Sequence, residues 1–248
     1  EHGGANACGW TAPDGAVTTE LRDPAGRVKG RGAARGAPWD GAFHTVLRDG
    51  EAPARTATSD TVAADLSGTA AEVVLPPLDV AMDWAEQRLT GVVAPGTLPQ
   101  LQFPARRCGD RLDIDGPGIR VAFSLGFGAS PDGRVDIRVP LPIEAGQGFE
   151  IAQRTASGHR VFRQFWRSRV EAHLAAPRAT GTANGLAAVT LTLRGPDGAT
   201  KGTAAGTTDA AGRFDLDLRT SRGAPAAMAP GDTLTAVAGG DTAVVPIE

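Results

Sequence analysis

Apolar and polar residues alternate one by one in several short runs of this chain. Phe214, Leu216 and Leu218 interleave with Arg213, Asp215 and Asp217, and Val135, Ile137 and Val139 with Arg134, Asp136 and Arg138. A period of two sends one set of side chains into a core and the other into water, which predicts antiparallel strands with one wet face. Turn chemistry separates the runs: Asp-Pro-Ala-Gly at 23–26, Pro-Asp-Gly at 131–133 and 196–198, and Gly-Asp-Thr at 231–233. Short strands at roughly 8–12-residue intervals predict an all-β chain of the β-sandwich type. Two stretches depart from the pattern, AMDWAEQRL (81–89) and WRSRVEAHLAA (166–176). Each has helical propensity. Each also precedes a Thr-Gly that opens a repeated block, which favours a strand running from one domain into the next. Trp84 and Trp166 are then expected as wedges at the junctions.

The pattern also repeats on a longer scale. LRDPAGRVKG (21–30) returns as LRGPDGATKG (193–202), which puts the only two lysines, Lys29 and Lys201, in register. Upstream, Val17-Thr-Thr-Glu-Leu21 aligns with Val189-Thr-Leu-Thr-Leu193. Downstream, the block Trp39 to Arg48 aligns with 210–219, Ser59-Asp60-Thr61-Val62 with Gly231-Asp232-Thr233-Leu234, and Val73-Val74-Leu75-Pro76 with Ala243-Val244-Val245-Pro246. A more divergent copy lies between. Gly133-Arg-Val135-Asp-Ile137 echoes Gly212-Arg-Phe214-Asp-Leu216, and Gly146-Gln-Gly-Phe149 takes the place of Gly231-Asp-Thr-Leu234. A period of this length means whole domains in tandem. The prediction is three antiparallel β-sandwich, immunoglobulin-like domains: a first repeat at 1–78, a divergent central one at 79–165 and a last one at 166–248. The shared Arg and Lys of the opening motif are read as the exposed edge of the repeated module, a mark of duplication and not of a lysine-based active site.

Composition narrows the classes. Net charge is −3 with both signs interleaved, against the concentrated basic surface of a nucleic-acid binder. Gly (33) and Pro (18) are frequent but fall between alternating apolar runs, so they mark turns and not disorder. No apolar run approaches the ~20 residues of a membrane-spanning helix. Opening on Glu1 without an initiator methionine, the chain is as expected of a processed or trimmed product. Cys8 and Cys108 are the only cysteines, with no histidine at ligand spacing. They predict a disulfide, within one chain or between copies, in an oxidising compartment; two unpaired thiols are the alternative.

The unit V-x-x-x-L-x-D/G-P-x-G, D-x-x-G-x-F-x-h-x-L, G-D-x-h-x-h, V-x-h-P (h apolar) resembles the immunoglobulin-like and transthyretin-like modules of secreted bacterial surface proteins. It is similar in particular to the carboxypeptidase-regulatory-like β-sandwich. The likeness covers nearly all of the two outer repeats and about half of the central one, and it implies stalks, adhesins, fibre subunits or accessory domains. Intradiol dioxygenases use a related sandwich with tyrosine and histidine on iron, and this chain has no tyrosine.

Candidate chemistry is sparse. There is no G-x-S-x-G elbow, no H-E-x-x-H and no Gly-rich phosphate loop. His44 and His173 fall on expected strands and are read without a catalytic role. Asp110, Asp113 and Asp115 are read first as a solvated loop; calcium and a catalytic carboxylate pair are the alternatives. Trp39, beside the Pro38–Asp40 turn, is the best candidate for stacking on a sugar. Arg163 and Trp166, in RVFRQFWRSR (160–169), are candidates for touching an acidic partner. The function expected from all this is non-catalytic: an extracellular or cell-surface structural subunit that self-assembles into a fibre, sheath or stalk. The alternative is a monomeric adhesin or carbohydrate-binding protein. No cofactor, nucleic-acid partner or membrane span is expected.

Overall fold

The alternation becomes strand after strand. The computed structural model describes residues 5–103, 123–174, 176–209 and 211–248, and every regular element among them is a strand. The first are β1 (Asn6–Trp10), β2 (Ala16–Arg22), β3 (Val28–Arg35), β4 (Ala42–Val46), the short β5 (Arg48–Asp49) and β6 (Ala52–Pro53), β7 (Thr61–Leu66) and β8 (Thr69–Val74). The middle of the chain adds β9 (Leu78–Asp83), β10 (Arg88–Val93), β11 (Gln100–Phe103), β12 (Phe123–Gly126), β13 (Arg134–Arg138), β14 (Gly148–Arg154) and β15 (Arg160–Trp166). The last third holds β16 (Arg169–His173), β17 (Arg178–Thr182), β18 (Ala188–Arg194), β19 (Thr200–Thr207), β20 (Arg213–Asp217), β21 (Thr233–Ala238) and β22 (Asp241–Pro246). Among the described residues no helix is long and apolar enough to cross a membrane.

The chain divides into two compact units, one built on Trp166–Glu248 with Ile143–Gln147, the other on Gly4–Pro142 with Gly148–Phe165. In the first of these, a three-stranded sheet β16-β17-β20 and a four-stranded sheet β19-β18-β21-β22 enclose one core. Val170, Ala179 and Phe214 project from one sheet; Val189, Leu191, Leu193, Leu234, Ala236 and Ala238 meet them from the other. These are the apolar members of the alternating runs, so the period of two orients the faces as expected. Thr190, Thr192, Thr235 and Asp215 occupy the intervening, outward positions.

The second unit holds two sets of sheets. The central repeat supplies β13-β10-β9 and β12-β11-β14-β15, the same strand order as the last repeat. Its core is aromatic: Phe149 stacks on Phe165 at 5.2 Å and lies 5.4 Å from Phe103. The first repeat supplies β3-β2-β7-β8, extended at one edge by β5 and β6, and a two-stranded β1-β4. The outer repeats match down to a register shift in the β2–β3 and β18–β19 hairpins, between Leu21 and Arg22 and between Leu193 and Arg194. Where the outer repeats join these strands through five residues, 23–27 and 195–199, the central one has 104–122.

A glycine holds the three-stranded sheets together. A Cβ on Gly181 would lie 2.2 Å from the carbonyl of Arg169 on β16 and 2.4 Å from the Phe214 ring, and one on Gly91 would lie 2.1 Å from the Asp79 carbonyl on β9. The neighbouring backbone thus occupies the space a side chain would need.

The two ambiguous stretches are neither helices nor single long strands. Residues 81–89 run from the end of β9 through a turn into β10, and the described residues of 166–176 hold the last residue of β15, a short link and β16. The Asp83 carboxylate accepts the N–H groups of Ala85 and Glu86 at 2.9 and 3.1 Å, so the helical propensity of the first stretch goes into one turn. Trp84 lies in that turn and is half-buried. It packs edge-on against Phe149, an aromatic side chain of the central repeat, at 6.2 Å.

Candidate functional site

The two lysines are the first place where charge gathers inside the fold. Lys29 donates to Asp60 and Lys201 to Asp232, each at 2.5 Å and each across 31 residues of sequence. Both aspartates are buried, with side chains 1% exposed, while the lysines are about a third exposed at 31% and 35%. The same carboxylate oxygen also accepts a backbone N–H three residues upstream, from Ala57 at 2.7 Å and Ala229 at 2.8 Å. Each Asp therefore closes the turn entering β7 or β21 and ties it to β3 or β19. The Lys201 ammonium holds the Asp232 carboxyl below the ordinary carboxylate range, against the opposing effect of burial. The lysines are accordingly not an exposed edge, as the sequence had led one to expect. The signal for the tie lay in the matched Lys and matched Asp of both outer repeats. In the central repeat Gln147 makes the same cap to the Glu144 N–H at 3.1 Å with an uncharged side chain.

A second recurrent pair crosses the outer face of the three-stranded sheets. Arg88 forks onto Asp136 at 2.5 and 2.6 Å, Arg178 forks onto Asp215, and in the first repeat His44 meets Asn6 at 3.2 Å. Both arginine pairs are about half exposed, and each arginine lowers the pKa of its aspartate. Burial lowers the pKa of the His44 ring. His173 sits against the Thr180 hydroxyl at 2.9 Å. These groups pair across strands within their own sheet.

Of the described candidate residues, Arg163 and Trp166 lie on β15 and Trp39 in the turn before β4. Arg163 is half-buried, over the Phe165 ring at 5.4 Å and 3.5 Å from Asp79; burial lowers its pKa, opposed by Asp79. Trp166 is half-buried and donates its backbone N–H to Asn184 at 2.7 Å. Trp39 is 72% exposed and Trp10 67%. Trp10 ends β1 opposite Ala42, and the turn carrying Trp39 is bonded to that end by Thr11 N–H to Gly41 O at 2.9 Å. In the sequence the corresponding positions hold Thr182 and Val92 in place of Trp10, and Ala210 and Pro131 in place of Trp39. Cys8 is half-buried on β1 opposite His44. Cys108, Asp110, Asp113 and Asp115 lie outside the described residues. Among the described residues no group of three or more His, Cys, Asp or Glu is placed to hold a metal ion.

Sequence reasoning missed a buried polar cluster on β14. Glu150 is fully buried and accepts from Arg160 and, at 3.4 Å, from Gln164; Arg160 also donates to Gln102 at 2.7 Å. The alternation in GFEIAQR was there to read, but nothing in it marks an outward Glu as buried. An open groove of about 980 Å³ lies in the last repeat, with Arg178, Asp215, Asp217 and Arg219 on one wall and Thr190, Thr203 and Ala205 on the other. It is lined by paired charges and hydroxyls, which suits a polar, water-exposed contact better than an apolar small molecule.

No protein-family model matches the chain and no curated protein matches it. Among solved structures it is similar to dimeric latent PorU from Porphyromonas gingivalis at 11% identity, TM-score 0.23, over 93% of this chain and 29% of that one. It is also similar to the Escherichia coli alpha-2-macroglobulin in its native conformation, at 10% identity, TM-score 0.20, covering 96% and 21%. The BSP domain of a biofilm associated protein matches at 10% identity, TM-score 0.24, covering 98% and 62%. The chain spans less than two thirds of the length of each, and at these scores the likenesses carry no argument about its role.

Proposed function

We propose that this chain is a non-catalytic structural segment of an extracellular protein, made of three tandem immunoglobulin-like sandwiches of the carboxypeptidase-regulatory-like type. Its role is to assemble with further copies into a surface fibre, sheath or stalk. The observation that carries this reading is the repetition of one scaffold with the same internal ties. The turn cap recurs in all three repeats, the Lys–Asp pair in the two outer ones and the cross-strand Arg–Asp pair in the central and last, each joining neighbouring elements within a repeat. A catalytic site arises in one copy of a duplicated fold by departure from its siblings, whereas a scaffold repeats its chemistry. Pairing of Cys8 with Cys108, within a chain or between copies, belongs to this reading and fits an oxidising compartment. Negative-stain electron microscopy of the purified chain across concentration and salt tests the assembly. Mass spectrometry with and without reductant tests the disulfide. Monodisperse monomers under every condition would refute the assembly.

One observation favours a second reading, a glycan-binding adhesin. Trp10 and Trp39 are exposed at one corner of the first repeat, where the other repeats carry smaller residues. Exposed indole faces stack on sugar rings. A glycan array on the full chain, with Trp39→Ala as control, separates the two readings.

A further inference from the structure

We infer that the corner of the first repeat carrying Trp10 and Trp39 binds a neutral polysaccharide, with the two indoles as stacking platforms. The inference rests on the adhesin reading above and names the class of glycan. Trp39 is 72% exposed and Trp10 67%, and Ala12, Pro13, Asp14 and Pro38 beside them in sequence are exposed as well. Ala42 lies about 5 Å from Trp10 across the ladder, and the three residues from Ala42 back to Trp39 span at most about 11 Å. A few linked sugar rings therefore reach both.

The corner is built stiff. The turns 11–15 and 36–41 are bonded backbone to backbone, Thr11 N–H to Gly41 O and Gly36 N–H to Gly15 O, both at 2.9 Å. A Cβ on Gly41, at φ 71°, would collide with the Thr11 carbonyl, and one on Gly36 with the Ala12 carbonyl. The other repeats keep the same lock: a Cβ on Gly212 would collide with the Ala183 carbonyl, and one on Gly133 with the Val93 carbonyl. What differs is the residues carried there, in sequence Thr182 and Ala210 in the last repeat and Val92 and Pro131 in the central one. A fold that forms with those smaller residues has no structural need of two indoles in water. Rings on a fixed support also bind without first having to be ordered.

Charge and polarity choose the ligand. Among the described residues, the charged groups at this end of the repeat are Asp14, Asp40 beside Trp39, Arg35 opposite Ala16, and Asp65 in the hairpin whose Ser67 N–H bonds Ala16. Three carboxylates against one guanidinium disfavour a uronate, a sulfated glycan or an anionic membrane. Asp40 and Asp65 already cap their turns, accepting the N–H of Ala42 at 3.0 Å and of Gly68 at 2.7 Å, so little negative charge is left over for a strongly basic chain. A wholly apolar partner would strip water from Asp14 and leave its carboxylate unpaired. A sugar answers both halves of the surface. Its C–H face lies on an indole, and the hydroxyls on its rim donate to carboxylate oxygens.

Isothermal titration of the full chain with cellohexaose and chitohexaose, and with hexagalacturonate as the acidic counterpart, tests this. Binding of a neutral hexasaccharide with a Kd of about 0.1–1 mM is expected, and none of the acidic one. Trp10→Ala and Trp39→Ala should each weaken it at least about tenfold with an unchanged circular dichroism spectrum, since both rings stand largely in water. Neutral binding that both variants leave intact overturns the site, and binding of hexagalacturonate alone overturns the glycan class; either result leaves the adhesin reading standing. Partition onto phosphatidylcholine vesicles in place of sugar binding, abolished by both variants, would assign the corner to a lipid surface and overturn the inference. No glycan bound, in titration or on an array, overturns the inference and the adhesin reading together.

Discussion

Removing the Asp232 side chain should cost the last repeat far more than removing any of its surface ion pairs. Asp232→Ala deletes two bonds, from Lys201 at 2.5 Å and from the Ala229 N–H at 2.8 Å, at a side chain 1% exposed. Breaking a fully buried pair costs about 3–5 kcal/mol, but Lys201 keeps a third of its surface in water and is rehydrated, which discounts the loss. The stranded Ala229 N–H adds about 1 kcal/mol, so about 2–3 kcal/mol is expected in all. Asp232→Asn keeps an acceptor, as Gln147 does in the central repeat, and should cost about 1 kcal/mol. Arg178→Ala, at a half-exposed pair screened by solvent, should cost clearly less than Asp232→Ala. Native-state hydrogen exchange on the full chain, read at amides of β18 and β21, reports the opening of this unit. Equal costs for Asp232→Ala and Arg178→Ala would refute the reasoning.

The same carboxylate sets a pH dependence. The pKa of Asp232 is lowered in the folded chain, so its contribution is complete above the ordinary value of 3.8. It is lost as pH falls through the lower folded value; Asp232→Asn should flatten that acid limb of the hydrogen-exchange profile. Gly181→Ala, whose Cβ would sit 2.2 Å from the Arg169 carbonyl, should destabilise by about 3 kcal/mol in thermal or urea unfolding. Trp84→Ala, half-buried against Phe149, should cost about 2 kcal/mol, and Trp39→Ala, 72% exposed, should stay within about 0.5 kcal/mol. Equal effects of the two tryptophan changes in calorimetry would overturn the packing of Trp84 against Phe149.

Much of the architecture is written in the sequence because it depends on local periodicity. Whether Phe214 faces inward is decided by its neighbours, since the pleat has a period of two. The hairpin turns follow from Asp, Pro and Gly at fixed positions, and duplication follows from comparing one stretch with another. Tertiary structure decided what periodicity cannot reach. It put Trp84 against Phe149, partners distant in sequence, after Asp83 had turned a helix-prone stretch into a tight turn. It converted two lysines that read as surface into counter-charges for buried aspartates across 31 residues. The sequence by itself determines which residues point the same way along a strand. Only the fold decides which strands stand side by side, because that is fixed by hydrogen bonds and packing between segments far apart in the chain.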